Sequence, residues 1–177
     1  MKFSLFSDKN ILGDSTLTIL PLFENKELLS ELGKTLDNQL GGFLSKNLEL
    51  EKIKGGSSDS FGLRTQFEKS IIRIAFKGCG DPSKLSLKKI RQVGGEYANM
   101  ANAHKSETVR VEIPYHETKD FSYALALQAF LEGVYLANYQ FNKYRDPKDA
   151  KPNTLKNVEI ITSSISKSEA NDIFQKV

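Results

Sequence analysis

Between residues 71 and 162 the hydrophobic period switches back and forth between strand and helix, and this succession restricts the fold more than any other feature of the chain. Ile71-Ile72-Arg73-Ile74-Ala75-Phe76 is β-branched and nearly continuous, the pattern of a buried strand. It runs into Gly78-Cys79-Gly80-Asp81-Pro82, after which a helix is expected from about Ser86 to Ala103. Ile90, Val93, Tyr97 and Ala101 make the buried stripe of that helix, and Lys88, Lys89, Arg91 and Gln92 fall mostly on its solvent side. Gly94-Gly95 in its middle costs about 1 kcal/mol per glycine relative to alanine, which is tolerated where a helix must approach another backbone. Thr108–Pro114 is the next strand, with Val109, Val111 and Ile113 on one face. The longest helix is expected from about Lys119 to Tyr139. Tyr123, Leu127, Phe130, Val134 and Ala137 form one stripe on it, while Leu125, Leu131 and Leu136 place apolar groups on other faces. Such a helix needs cover on most sides. A polar, proline-bearing connection, Lys143–Lys156, leads to the strand Val158–Thr162. Strand, helix, strand, helix, strand calls for an α/β domain with a mostly parallel sheet and helices on its faces.

The first third reads less sharply. Lys2–Phe6 and Thr16–Leu22 alternate as strands, with Gly13-Asp14-Ser15 as the turn between them. Leu29, Leu32, Leu36 and Leu40 then recur at helical spacing from about Lys26 to Leu40, and Gly41-Gly42 stops that helix. Residues 43–70 are open between a short helix and an irregular crossover, then a flexible loop at Gly55–Ser60 and an edge strand at Phe61–Phe67. After Ser163-Ser164 a last helix begins, capped by Ser164 or Ser166, with Ala170, Ile173, Phe174 and Val177 as its apolar stripe.

Composition removes several classes. With 177 residues and 39% hydrophobic content, one domain can bury a core without disulfide or metal staples. Cys79 stands alone, and two histidines, His104 and His116, leave little for a zinc cage. No stretch reaches the length of a membrane span, and Met1–Asp8 meets charge before a signal-type apolar run forms, so a cytoplasmic protein is expected. A net charge of +3 is too small to argue for nucleic acid. The basic groups Lys84–Arg91 and Lys143–Lys156 read as solvated surface, leaving room only for a weak, salt-sensitive DNA contact.

No catalytic constellation stands out. Gly78 and Gly80 sit between strand and helix, where backbone N–H groups could hold a phosphate. The position of a third fingerprint glycine is Ser83, however, so a plain tight turn is the better reading. Cys79 has no histidine near it in sequence and reads as an inert thiol. His104 falls at a helix C-terminus, where partial positive charge is favourable.

One stretch is more distinctive: Phe130-Leu131-Glu132-Gly133-Val134-Tyr135-Leu136-Ala137-Asn138-Tyr139-Gln140-Phe141-Asn142-Lys143-Tyr144-Arg145, then Lys151-Pro152 and a strand. It resembles the end of the N-terminal domain in leucyl (cytosol) aminopeptidases. Ile72–Gly80, Leu85–Gly95 and Ser168–Val177 extend the resemblance over about residues 70–177. It implies a macro-domain-like three-layer sandwich, a mixed sheet between helices. It implies residues 1–163 as the non-catalytic N-terminal domain and residues 164–177 as the start of an inter-domain helix, cut short at Val177. The catalytic domain would lie further along, with two divalent metals, zinc or manganese, on lysine, aspartate and glutamate ligands. None of those ligands falls within this chain, so no cofactor and no peptidase activity are expected of it alone. The implied partners are that catalytic domain and the other subunits of a hexamer. Phe141, Tyr144, Ile173 and Phe174 are expected near the inter-domain seam, beside any spare apolar face of the helix at 119–139. A free-standing nucleotide or ADP-ribose binder using Gly78 and Gly80, or an accessory DNA-binding domain, is the alternative.

Overall fold

The computed structural model describes residues 1–6, 11–12, 16–24, 27–117, 120–139 and 153–177. Within these residues six strands share one sheet: β1 (Lys2–Leu5), β2 (Leu17–Leu22), β3 (Ser60–Phe67), β4 (Ser70–Gly78), β5 (Thr108–Val111) and β6 (Asn157–Ile160). They hydrogen-bond in the order β1-β6-β5-β2-β4-β3. Every neighbouring pair is parallel except β3, which folds back antiparallel on β4 and forms one edge. β2 lies inside the sheet, with Leu17 opposite Arg73 on one side and Val109 on the other. All six of its residues are buried, because helices cover both faces there.

The helices are α1 (Glu31–Gln39), α2 (Phe43–Leu50), α3 (Leu87–Ala103), α4 (Tyr123–Asn138) and α5 (Lys167–Lys176). Alternation along the strands feeds two cores. Leu17, Ile19, Val109, Val111, Val158 and Ile160 pack under α3, α4 and α5, meeting side chains such as Ile90, Val93, Leu127, Phe130 and Ile173. Leu20, Leu22, Ile72, Ile74 and Phe76 pack on the opposite face against Leu36, Leu44 and Leu48 of α1 and α2. The result is the three-layer α/β arrangement that the pattern calls for.

Serine side chains start four of the helices. Ser30, Ser86, Ser122 and Ser166 each accept the N–H three residues on, which satisfies one orphan donor per helix. For the last helix this selects Ser166 over Ser164. α2 is capped from outside instead: Asp37 Oδ1 accepts the N–H groups of Leu44 and Ser45 at 2.8 and 3.2 Å. α1 begins at Glu31, five residues later than its leucine spacing suggests, because the preceding residues bridge back to β2 through Leu29 and Leu22. α4 begins at Tyr123 rather than near Lys119, so α3, with 17 residues against 16, is the longer helix. The expected turn at Gly13-Asp14-Ser15 lies outside the described residues; β1 and β2 themselves are not neighbours in the sheet.

α3 and α4 cross at nearly bare backbone. A Cβ placed on Gly94 would stand 2.1 Å from the Phe130 carbonyl oxygen, and one on Gly133 only 1.8 Å from that of Arg91. Of the Gly94-Gly95 pair, Gly94 therefore performs the expected close approach, with Gly133 as the reciprocal residue, and Gly95 is in ordinary contact. Tyr97 and Phe130 meet edge to face beside the crossing, ring centres 5.2 Å apart.

Gly55–Ser60 is tied down, contrary to its composition. Asp59 Oδ2 accepts from the Lys54 and Gly56 N–H groups at 3.0 and 3.1 Å, and the buried Lys77 Nζ donates to the Ser57 carbonyl at 2.5 Å. Its glycines give room for the chain leaving β4: a Cβ on Gly78 would lie 1.8 Å from the Gly56 oxygen.

Candidate functional site

The parallel strands β1, β6, β5, β2 and β4 all end at one edge of the sheet, the edge at which open α/β sheets place their ligands. Segments leaving those strands surround a crevice of about 460 Å³ there, lined among others by Phe6, Glu31, Glu112, Tyr115, Tyr123 and Thr162. A second depression of about 560 Å³ adjoins it through Glu31, Glu112 and Tyr115 and reaches Phe23, Pro82 and His116.

Glu112 is the central polar group. It follows the last residue of β5, and its side chain lies on the α1 side of the sheet. The Ser30 hydroxyl donates to Glu112 Oε2 at 2.5 Å while Ser30 Oγ caps α1 by accepting the Gly33 N–H at 3.0 Å. Burial pushes the Glu112 carboxyl up to about 7, against the opposing pull of the Ser30 hydrogen bond. Among the described residues no cation pairs with it. Arg110, two positions earlier on the same face, is committed elsewhere: to Glu159 at 3.0 Å, to the Ile11 carbonyl at 3.1 Å, and to the Phe6 ring, 4.2 Å from its centre.

Two tyrosines form the opposite wall. Tyr115 sits edge to face with Tyr123 at 5.1 Å and with Phe121 at 6.3 Å. The Tyr123 hydroxyl is buried and forms no hydrogen bond of normal geometry. Burial raises its pKa to about 12, the Thr162 side chain beside it acts in the opposite direction, and the charge of Glu112 raises it further. This hydroxyl is a neutral donor at physiological pH.

The sequence-derived candidates lie in other places. The Gly78 N–H donates to the Asp59 carbonyl, Cys79 N–H to Leu22 and Gly80 N–H to Gly55, all at 2.8–2.9 Å. All three amides that would face a phosphate are thus held by the chain itself. Burial pushes the Cys79 thiol up to about 12, which leaves almost no thiolate at neutral pH. His104 does cap the C-terminus of α3, but burial, then Arg73 and Arg64, push its pKa down, against the positive charge that a helix C-terminus favours. Ile173 is buried in the core under α5, and Phe174 is half-buried with its ring 6.2 Å from that of Phe3. Phe141 and Tyr144 lie outside the described residues. Of the spare apolar groups on α4, Leu131 is fully buried, whereas Leu125 and Leu136 are 48% and 66% exposed. Among the described residues no three His, Cys, Asp or Glu side chains gather as a metal site would require.

A profile of the cytosol aminopeptidase family, N-terminal domain, matches residues 19–148. The chain belongs to the cytosol aminopeptidase family. It is 26% identical over 164 residues to a probable cytosol aminopeptidase of Alkaliphilus metalliredigens, covering 91% of this chain and 32% of that protein. It is 29% identical over 159 residues to one of Nostoc punctiforme, covering 88% and 31%. The chain thus spans about a third of the length of these relatives. Among solved structures, a tomato leucine aminopeptidase mutant superposes with a TM-score of 0.74 at 21% identity, over 98% of this chain and 34% of that one. The bottromycin maturation enzyme BotP superposes at 0.59 with 11% identity, over 90% and 29%. The family match takes in Glu112, Tyr115 and Tyr123 of the crevice; Phe6 and Thr162 lie outside its bounds.

Sequence reasoning missed this crevice. Glu112 stands in Val109-Arg110-Val111-Glu112-Ile113, which reads as a strand with Val109, Val111 and Ile113 on one face and leaves Glu112 on the other. Since β5 is interior to the sheet and α1 begins beside its end, that face is covered. A carboxylate next to a strand end in an α/β pattern is the signal that could have found it.

Proposed function

We propose that this chain is the non-catalytic N-terminal domain of a leucyl-type aminopeptidase that releases N-terminal amino acids from peptides with two divalent metals, zinc or manganese, bound in a region beyond this one. The described residues do not suit such metals, so no chemical step is assigned to this chain. Its role in the proposal is assembly and access to the active site. The supporting observation is the uncovered apolar surface of α4. Leu125, Tyr135, Leu136 and Tyr139 are all exposed there, and Tyr135 borders a depression shared with Phe3 of β1 and Phe174 and Val177 of α5. Isolated exposed hydrophobes are common, but a run along one helix beside a depression edged by Phe3, Phe174 and Val177 is the character of an interface. The catalytic region is the proposed occupant, with α5 opening the connection to it and with subunits of a hexamer further out. In the proposal Phe141 and Tyr144 belong to the same seam.

The test has two readings. The coding sequence should continue for about 300 residues past Val177, roughly two domains, and carry a lysine and carboxylate cluster. The 177-residue chain with manganese should not hydrolyse leucine p-nitroanilide. Termination at Val177, or hydrolysis by this chain alone, overturns the proposal.

A further inference from the structure

The crevice at the carboxyl edge of the sheet holds the Glu112 carboxyl with no counter-charge among the described residues. Among the described residues neither lysine nor arginine lines it or the adjoining depression. Glu31 on its rim is compensated by Lys34, whose Nζ lies 2.9 Å from Glu31 Oε1. Glu112 is not: Ser30 occupies Oε2, Arg110 is turned to Glu159, and no described cation pairs with the carboxylate. Tyr123 adds an independent observation, a buried hydroxyl in the wall of the same cavity that has only Thr162 beside it and forms no hydrogen bond of normal geometry among the described residues. A buried carboxyl without a cation and a buried hydroxyl without a well-formed hydrogen bond around one cavity are costly in an empty protein and are stabilised when a ligand supplies what they lack.

The missing chemistry can be read from the walls. A carboxylate without a cation calls for positive charge or strong N–H donors. The aromatic faces of Phe6, Tyr115 and Tyr123 favour an apolar body and tolerate a cation beside them. Phosphate or carboxylate ligands meet the Glu112 carboxylate with no compensating cation among the described lining residues and are repelled. The volume of about 460 Å³ is that of a small-molecule site rather than a peptide groove.

We propose that this crevice binds a small organic ammonium compound, its N–H groups donating to Glu112 and to the Tyr123 oxygen and its hydrocarbon body lying against Tyr115 and Phe6. The Tyr123 hydroxyl then accepts a well-formed hydrogen bond, and Glu112 gains the charge-assisted donor it lacks. The site belongs to this chain alone and stands whether or not a catalytic region follows it.

Calorimetric titration of the 177-residue chain with cyclohexylamine, cyclohexanol and cyclohexanecarboxylate tests this directly. Saturable binding of the amine at about millimolar concentration is expected, with the isosteric alcohol weaker by about tenfold and the carboxylate undetectable. Glu112→Gln should lower amine affinity about tenfold while the far-ultraviolet circular dichroism stays that of the parent. Tyr123→Phe, which removes one oxygen from a helix start already capped by Ser122, should lower it several-fold and serves if Glu112→Gln fails to fold. Equal binding of amine and alcohol, preference for the carboxylate, unchanged affinity in a folded Glu112→Gln or Tyr123→Phe chain, or no amine binding up to about 50 mM overturns the proposal.

Discussion

A carboxylate buried without a cation destabilises the fold whenever it ionises, and Glu112 is in that position. Its native pKa is pushed up to about 7 from an ordinary 4.5, chiefly by burial. Between those two values the native state binds more protons than the unfolded chain, so stability falls as pH rises and the whole loss is in place above the native pKa. Glu112→Gln removes that dependence while keeping an oxygen to accept from Ser30. The variant should therefore gain on the parent as pH rises, by about 2–3 kcal/mol between about pH 4.5 and pH 8, read from urea unfolding at each pH. An unchanged pH profile would mean that the carboxylate is solvated after all. The same residue shows what sequence reading leaves out. Alternation places Glu112 on the polar face of its strand, and only the sheet order shows that this face is enclosed. Ser30 is likewise recognisable as a helix cap in retrospect, but its second bond, to a residue 82 positions away, has no local signal.

Elements are where the sequence was most informative. The strand at Ile71–Phe76, the glycine pair in α3, the strand at Thr108 and the stripe of α5 all follow from period and composition, because burial on both sheet faces enforces a single pattern over many residues. Boundaries shift where capping decides them, as at Ser30 and Ser122. The glycines of the α3–α4 crossing are not equivalent, and this separates two substitutions in adjacent reasoning. Gly133→Ala forces a Cβ to within 1.8 Å of the Arg91 carbonyl, so the helices must part; a loss of about 3 kcal/mol or more, or failure to fold, is expected in thermal unfolding. Gly95→Ala meets only the Ala137 methyl at 3.4 Å and the Gly133 oxygen at 3.5 Å. Its steric cost is small and its helix propensity improves, so its stability should stay within about 1 kcal/mol of the parent. If both substitutions prove equally damaging, the crossing is set by something other than this backbone contact. Across the same pair, Arg91 and Glu132 join at 2.6 Å on the surface, a bond that orients the helices but adds little to stability.

For the molecule as a whole, the decisive surface is the outer side of α4. Its apolar excess was visible in the sequence, but which leucines stay exposed was not: Leu131 turns into the core, while Leu125 and Leu136 face outward because α3 and the sheet already occupy the inner side. Leu136 and Tyr139 are 66% and 64% exposed, so replacing both by lysine removes little buried contact. The Leu136→Lys, Tyr139→Lys chain should unfold within about 0.5 kcal/mol of the parent. If the parent self-associates through this face in sedimentation velocity, the double variant should stay monomeric at the same concentrations. A stability loss well beyond that margin would place the two side chains under cover of their own chain. The face would then be closed to any partner, and the docking role proposed for α4 would fall with it.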